Sequence, residues 1–255
     1  VPDRIIVHDN NSGDGTVSMV QNKFRGFIAS GDMALVQCKE NVGGAGGFSR
    51  GVAHAMELGT DFIWLMDDDA EVEEQALERL LERAGSGMDC FSSTPMAPEG
   101  DRYSWGLRVR SADGVRAIWR PEDFPPQGIL EAHFTPFLGI LVPVKVVERV
   151  GLPREDFFIW SDDVEYSFRI RDTGAKIWYV SESRIRHPFQ PRRRLPLGVG
   201  TVLDAPLWKQ YYGARNELFM YSRRGELGPL FTRLTITLFT FLGDPDPRAW
   251  RVMLK

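Results

Sequence analysis

Three adjacent carboxylates, Asp67, Asp68 and Asp69, directly follow the apolar run from Phe62 to Met66. Ligands of open α/β sheets bind beyond the carboxyl ends of the strands, which is where this triplet is expected to lie. Carboxylates at positions i and i+2 of a strand end can chelate a divalent cation, and the cation can hold a diphosphate. The alternative is a solvated acidic turn that caps the next helix, and the triplet alone leaves both interpretations open.

A second acidic cluster lies between Trp160 and Tyr166. Asp162 is a suitable helix N-cap, and Glu165, three residues later, completes a capping box. This interpretation does not need Asp163, so that side chain either stabilises the helix dipole or faces a cleft as a general base.

Two further positions have polar side chains that can bind a ligand. His187 follows a predicted strand and precedes Pro188, where an imidazole is either a ligand or a structural residue. The pair Arg215-Asn216 can bind a phosphate or a sugar, and it can equally cap a helix. Neither position identifies a function without the other motifs.

The glycine-rich run at residues 43–51 excludes two common nucleotide motifs. A dinucleotide fingerprint would need glycine at position 49, where Ser49 stands. A P-loop would need Lys and then Ser or Thr directly after Gly51, where Val52 and Ala53 stand.

The acid triplet also departs from the pattern of haloacid-dehalogenase-type phosphatases, because Glu71 replaces the Thr or Val of that motif.

The spacing of apolar residues predicts strands that alternate with helices, which is typical of a mostly parallel α/β sheet. Predicted strands cover residues 4–8, 34–37, 62–66, 137–142 and 176–180. Predicted helices cover residues 16–24, 48–59, 71–85 and 162–173, with a further helix from Val144. Residues 95–130 have no clear period, so they are interpreted as a long excursion from the sheet.

The composition is that of an ordinary globular protein of 255 residues, 43% hydrophobic and 26% charged. Two cysteines, Cys38 and Cys90, are too few for a disulfide scaffold or a cysteine-based zinc site. No apolar run approaches the length of a membrane span, about 20 residues. No signal peptide is recognisable, so the expected location is the cytoplasm.

Charge is unevenly distributed along the chain. Residues 184–255 carry 13 basic and 5 acidic side chains, a balance of +8, whereas residues 1–183 have a balance of −12. A basic end with aromatic and aliphatic residues predicts contact with an anionic membrane surface rather than with nucleic acid. The apolar run Leu227 to Leu242 contains Arg233 and is too short to span, so it is expected to lie on that surface or to pack on the rest of the chain or a dimer partner.

Taken in order, these motifs resemble the family-2 glycosyltransferases with the GT-A fold, and the resemblance runs from Pro2 to about Arg224. It is strongest to the actinobacterial-type galactofuranosyltransferases, which build cell-wall polymers on a polyprenyl diphosphate carrier. The matching segments are Asp9-Asn10-Asn11-Ser12, residues 41–48, Trp64-Leu65-Met66-Asp67-Asp68-Asp69, residues 157–166, His187, and the Tyr-x-x-Arg-Asn pattern of residues 212–216.

The resemblance implies a role for each motif. Donor-binding residues would be Asp9, Ser12, Asn41, Gly43, Gly44 and Asp68. Asp67, Asp69 and His187 would hold a divalent cation, Mn²⁺ or Mg²⁺, and Asp163 would be the catalytic base. Acceptor-binding residues would be Trp160, Asp162, Arg215 and Asn216.

The implied activity is the inverting transfer of galactofuranose from UDP-galactofuranose to a hydroxyl of a lipid-linked glycan. A rhamnosyltransferase using a deoxythymidine-diphosphate sugar and an inactive, carrier-binding scaffold are the alternatives. Residues 1–190 would form the catalytic domain, and residues 191–255 a basic and apolar helical region that lies on the inner membrane face or joins a homo-oligomer. Family members carry a strand and a helix before the segment at Pro2, which this numbering lacks.

Overall fold

A computed structural model describes residues 2–189 and 191–242, and of Leu242 it describes the helical backbone alone. The chain divides into two compact units. The first consists of the residues up to Asp156 together with Asp163–Phe189, and the second of Phe157–Asp162 together with the described residues after position 190. The sequence predicts one boundary at residue 190, whereas the structure also assigns residues 157–162 to the second unit.

The first unit alternates strands with helices over most of its length. Its strands are β1 (Ile5–Asp9), β2 (Met33–Gln37), β3 (Phe62–Leu65), β4 (Glu71–Val72), β5 (Cys90–Met96), β6 (Leu107–Ser111), β7 (Gly114–Ile118), β8 (Ile129–Glu131), β9 (Ile140–Pro143) and β10 (Ile177–Arg186). Its helices are α1 (Thr16–Lys23), α2 (Arg25–Ser30), α3 (Gly43–Glu57), α4 (Ala76–Leu81), α5 (Val144–Val150) and α6 (Asp162–Asp172).

The main sheet of this unit is mixed. Its strand order is β3-β9-β5-β10-β4, and β8 pairs with β10 beside this path. Strand β9 is antiparallel to both β3 and β5, whereas β5 and β10 are parallel. Strand–helix alternation predicts more parallel pairs than the sheet contains, because β9 follows the excursion rather than a crossover helix. Strands β3, β5 and β10 nevertheless run in one direction, so their carboxyl ends meet at one edge.

Helix α3 links this sheet to a separate parallel pair formed by β1 and β2. It contacts both β1 and β3. Its buried residues Val52 and Ala55 belong to the same core as Ile63 and Leu65 of β3, and Ile6 of β1 packs against that core. Full burial of a side chain such as Val52 contributes about 1.5–3 kcal/mol, so α3 is held mainly by this apolar face.

The glycine-rich run forms the first turns of α3, although the sequence predicts a helix only from Phe48. Gly43 has a φ of 72°, which favours glycine. A Cβ at Gly46 would lie 2.7 Å from the Val42 side chain, and one at Gly47 would lie 3.1 Å from Asn10 Nδ2. The glycines therefore allow the backbone to approach the side chains of Val42 and Asn10 closely. Such an approach is expected from the sequence, but the glycines lie inside a helix.

Two other sequence predictions differ from the structure. Glu71 and Val72 form β4 by pairing with Arg186 and Ile185, so α4 begins at Ala76 rather than near residue 71. Pairing with a strand distant in sequence thus overrides the preference of acidic residues for a first helical turn. The excursion contains the hairpin β6–β7, in which apolar and charged residues alternate over residues 107–110 before the turn.

The second unit consists of a short hairpin and two helices in its described part. Its elements are β11 (Arg192–Arg194), β12 (Thr201–Leu203), α7 (Leu207–Arg224) and α8 (Leu227–Leu242). Helices α7 and α8 pack together, with Glu217 Oε2 3.5 Å from Arg233 Nε. Burial raises the pKa of Glu217, and the Arg233 charge opposes that shift.

Helix α8 exposes one apolar stripe. Its large exposed side chains recur at helical spacing, at Leu227, Phe231, Leu234 and Leu238. Within residues 2–189 and 191–242, no helix is both long enough and apolar enough to cross a membrane.

Candidate functional site

The ends of β3 and β10 bring together the three residues that the motifs suggest as metal ligands. Asp67 and Asp69 follow β3, and His187 follows β10. One possible ligand atom from each residue lies within 4.8 Å of the others, and His187 Nε2 is 3.4 Å from Asp69 Oδ1. Two carboxylates and an imidazole at this separation form a donor set that suits Mn²⁺ or Mg²⁺.

The electrostatics of this cluster also favour a cation. Asp67 reaches solvent, yet the surrounding protein displaces much of its water and raises its pKa to about 7, with further contributions from Asp69, Asp163 and Asp68. His187 is 3% exposed, and its Nδ1 makes no hydrogen bond to the described residues. A bound cation would offset the repulsion between the carboxylates, so the residues present fit a divalent metal ion.

Asp163 lies near this cluster, since its charge contributes to the raised pKa of Asp67. It is half-buried in the first turn of α6, and its Oδ1 accepts a hydrogen bond from the Val164 N–H at 2.7 Å. Helix α6 includes Asp162 as its first residue. Glu165, expected in a capping box, accepts hydrogen bonds from Arg169 Nε.

Most of the suggested donor-binding residues lie at or after the end of β1, or between β2 and the first turn of α3. Asp9 is 5% exposed, and its Oδ2 accepts a hydrogen bond from the Ser12 N–H at 3.1 Å. Asn41 Oδ1 accepts one from the Gly43 N–H at 2.9 Å. Asn10, a motif residue given no role in the sequence analysis, donates from Nδ2 to the Gly43 carbonyl at 2.8 Å and so connects the two loops.

Gly44 and Asp68 complete the suggested donor residues. Gly44 is exposed in the first turn of α3, with nothing within 4 Å of a Cβ built on it. Asp68 is exposed between the two suggested metal ligands. Both positions are open to a ligand.

The second unit contains the four residues suggested for the acceptor. Trp160 lies in the loop before α6, Asp162 is the first residue of α6, and Arg215 and Asn216 lie on α7. Asn216 is 1% exposed, and its Nδ2 donates to the carbonyls of Phe157, Ile159 and Trp160 at 2.9, 3.0 and 2.8 Å. The amide N–H groups of Asn216 are therefore used by the loop of residues 157–161. Asn216 would affect an acceptor only indirectly, by holding this loop in place.

This loop is strained. Phe158, Trp160 and Ser161 have φ values of 63°, 65° and 68°, and left-handed backbone costs about 1–2 kcal/mol for a residue other than glycine. Arg215 Nη2 adds a hydrogen bond to the Phe157 carbonyl at 3.1 Å. Residues of α7 thus stabilise an unfavourable backbone directly before Asp162.

Trp105 is a residue of the site that the sequence analysis missed. Its ring lies against the imidazole of His187, with centroids 5.0 Å apart and planes at 65°. It belongs to the excursion, whose lack of period gives no signal for this contact.

Comparison with known proteins agrees with these motifs. The model of the glycosyl transferase family 2 matches residues 2–141. The chain is 27% identical over 235 residues to galactofuranosyltransferase GlfT1 of Mycobacterium tuberculosis, covering 88% of this chain and 74% of that protein. It is 26% identical to galactofuranosyltransferase GlfT1 of Mycolicibacterium smegmatis, covering 88% and 75%.

Solved structures show the GT-A fold. The mannosyltransferase PcManGT from Pyrobaculum calidifontis, in complex with GDP-Man and Mn²⁺, matches with a TM-score of 0.56 at 13% identity, over 99% of this chain and 70% of that chain. GalNAc-T7 with UDP, GalNAc and Mn²⁺ matches with a TM-score of 0.54 at 12% identity, over 73% of this chain and 38% of that chain. Because the family model matches more than half of its residues, this chain belongs to glycosyl transferase family 2.

Proposed function

We propose that this glycosyltransferase moves galactofuranose from UDP-galactofuranose to a hydroxyl of a lipid-linked glycan, with inversion and with a divalent cation. The observation that carries the proposal is the grouping of Asp67, Asp69 and His187 at one edge of the sheet in a family-2 chain, with the charge of Asp163 acting on Asp67. Similarity to mycobacterial galactofuranosyltransferases supports the donor sugar and a place in cell-wall polysaccharide synthesis.

Donor binding is assigned to the first unit. Asp67, Asp69 and His187 would hold Mn²⁺ or Mg²⁺, which when bound neutralises the diphosphate of the leaving group. Asp9, with its buried carboxylate, and Asn41 would contact the nucleoside. Ser12, Gly43, Gly44 and Asp68 would line the remainder of the donor pocket, where short side chains leave room for the nucleotide.

Asp163 is assigned the proton transfer. Its carboxylate would take the proton of the acceptor hydroxyl as that oxygen attacks the anomeric carbon and the bond to the diphosphate breaks. A single displacement inverts the anomeric centre and needs one base, whereas a glycosidase needs two carboxylates. The contribution of Asp163 to the raised pKa of Asp67 supports a position near the donor diphosphate.

The C-terminal helices suggest where the acceptor is met. The exposed stripe Leu227, Phe231, Leu234 and Leu238 carries no charge and would enter the headgroup region of a bilayer. The basic strand β11 would add attraction to anionic lipid, about 1 kcal/mol for each basic residue near the surface. A polyprenyl-linked acceptor would then be reached at the cytoplasmic membrane face.

Liposome flotation tests this location. Binding should increase with anionic lipid and should fall when Leu227 and Phe231 are both replaced by Ser. Concentration-dependent self-association that the same double variant abolishes, without any binding to liposomes, would replace membrane docking with a homo-oligomer interface.

A donor screen tests the function. Thermal unfolding is followed with UDP-galactofuranose, its pyranose isomer and dTDP-rhamnose, each with Mn²⁺ and with a chelator, and transfer to a lipid-linked glycan is then measured. The furanose donor should stabilise the protein most, and only with metal. Preference for dTDP-rhamnose would make the protein a rhamnosyltransferase, and donor binding without transfer or hydrolysis would favour an inactive scaffold.

A further inference from the structure

The excursion between β5 and β8 folds back onto the segment that carries His187. Its Trp105 ring packs against the imidazole at 5.0 Å, and the guanidinium of Arg102 lies 4.8 Å from the centre of the Phe189 ring. The two contacts lie on either side of Pro188. The excursion therefore holds the chain directly before and directly after this residue.

The residues beside Trp105 are firmly anchored. Tyr103 and Ser104 are 1% and 2% exposed. The Tyr103 N–H donates to the Trp119 carbonyl at 2.9 Å, and the Ser104 N–H and hydroxyl both donate to the Pro95 carbonyl, at 2.8 and 3.0 Å. The backbone that presents Trp105 is thus tied to the end of β5.

The same end of β5 holds His187. The His187 N–H donates to the carbonyl of Met96 at 2.9 Å, and Met96 also forms an isolated bridge with Tyr103. Trp105 and His187 are consequently positioned by one common piece of backbone. Their ring contact therefore depends on the hydrogen-bonded backbone at the end of β5.

The imidazole has little else to orient it. A histidine that binds metal ordinarily donates its second ring N–H to a carboxylate or carbonyl, which fixes the plane of the ring. In His187 the Nδ1 is buried and makes no hydrogen bond to residues 2–189 or 191–242, and Nε2 faces Asp69. Packing of the Trp105 ring therefore takes the place of that hydrogen bond in fixing the plane of the His187 ring.

We propose that Trp105 is a positioning residue that holds the His187 imidazole with Nε2 toward Asp69, so that the excursion supports the metal site. The inference rests on the proposed role of Asp67, Asp69 and His187 as metal ligands. Trp105 touches neither the donor nor the reacting atoms in this role, and it acts only through His187.

Mn²⁺ affinity, measured by calorimetry in the presence of UDP, provides the first test. Trp105→Ala should weaken Mn²⁺ binding by about 10-fold or more, the range found when groups that orient a metal ligand are removed. Trp105→Phe keeps an aromatic edge against His187 and should restore affinity to within about threefold of wild type. Trp208→Ala, which removes a half-exposed tryptophan of the second unit, is the matched control and should leave the affinity unchanged.

Hydrogen exchange of the metal-free protein provides the second test. Loss of the ring contact between Trp105 and His187 should speed exchange of the His187 backbone N–H in Trp105→Ala, and Trp105→Phe should restore protection. Should Trp105→Ala fail to fold, Trp105→Leu fills part of the same volume without an aromatic edge, and it should show the same losses in smaller measure.

The outcomes separate the two proposals. Wild-type Mn²⁺ affinity together with wild-type exchange at His187 in a folded Trp105→Ala or Trp105→Leu variant would overturn the role of Trp105. If the wild-type protein binds no Mn²⁺ in the presence of UDP, the proposed metal site is wrong. Unchanged exchange of the His187 N–H in the variants would even then refute the positioning role of Trp105.

Discussion

Replacing Asn216 with Ala would test whether one buried amide holds the strained loop of residues 157–161. The side chain donates to three carbonyls of that loop, and it has only two N–H groups, so one of them is shared. The alanine variant would leave all three carbonyls without this partner in a site that is 1% exposed.

The magnitude follows from counting two full hydrogen bonds. Each contributes about 1 kcal/mol, and a buried carbonyl left without a partner adds a further cost of about 1 kcal/mol or more. The three left-handed residues add strain that the remaining contacts must then hold. We expect Asn216→Ala to lower the free energy of unfolding of the second unit by about 2–4 kcal/mol.

Urea unfolding measures this loss, and Gln210→Ala is the matched control. Gln210 lies on the same helix, is 3% exposed, and donates one hydrogen bond to the Leu203 carbonyl. Its replacement should cost clearly less than that of Asn216. Asn216→Asp should destabilise at least as much as Asn216→Ala, because it directs a carboxylate oxygen at the three carbonyls.

The reasoning would be refuted by equal losses in Asn216→Ala and Gln210→Ala. It would also be refuted if amide exchange over residues 157–161 were the same in Asn216→Ala and in the wild type, since the loop would then be held by other contacts.

Three further predictions concern the metal and the base. Asp163→Asn should lower kcat by about 10²–10⁴ with donor affinity near wild type, whereas Asp162→Asn should cost far less, and the reverse pattern in two folded variants would exchange their roles. Asp69→Ala should abolish the part of UDP affinity that depends on Mn²⁺, and calorimetry showing the same affinity with and without metal as in the wild type would contradict this. Because the pKa of Asp67 is raised to about 7, a proton competes with the cation for this carboxylate below that pH. Mn²⁺ affinity should therefore fall about tenfold per pH unit below pH 7 and level off above it. An Mn²⁺ affinity that stays constant from about pH 5.5 to 8 would exclude this competition.

The elements that carry the metal cluster could be predicted from sequence because their signals are local. The apolar run before Asp67 is a strand that ends where the acids begin, and the run before His187 is likewise a strand. Strands that end at one edge of a sheet place their following residues together, but His187 was joined to the two aspartates only through the resemblance to the family-2 glycosyltransferases.

The features that were missed depend on contacts between distant segments. Strand β4 exists only through pairing with Ile185 and Arg186, and Trp105 gains its role only when the excursion returns to His187. The hairpin β6–β7 had a readable signal in the alternation of residues 107–110, although its two-residue turn is Ala112-Asp113 rather than the common Asp-Gly pair. The structure also shows that Asn216 acts on the loop backbone, which its sequence motif does not reveal.

The four glycines in the first turns of α3 have a consequence for the order of folding. A glycine inside a helix costs about 0.5–1 kcal/mol relative to alanine, so Gly44, Gly46 and Gly47 oppose helix nucleation in the isolated chain. In the folded protein, packing on β1 and the hydrogen bond from Asn10 Nδ2 to the Gly43 carbonyl offset this cost. We therefore expect this end of α3 to form late and to open first, so that a core substitution such as Ile6→Ala would weaken the proposed donor binding without contacting the donor.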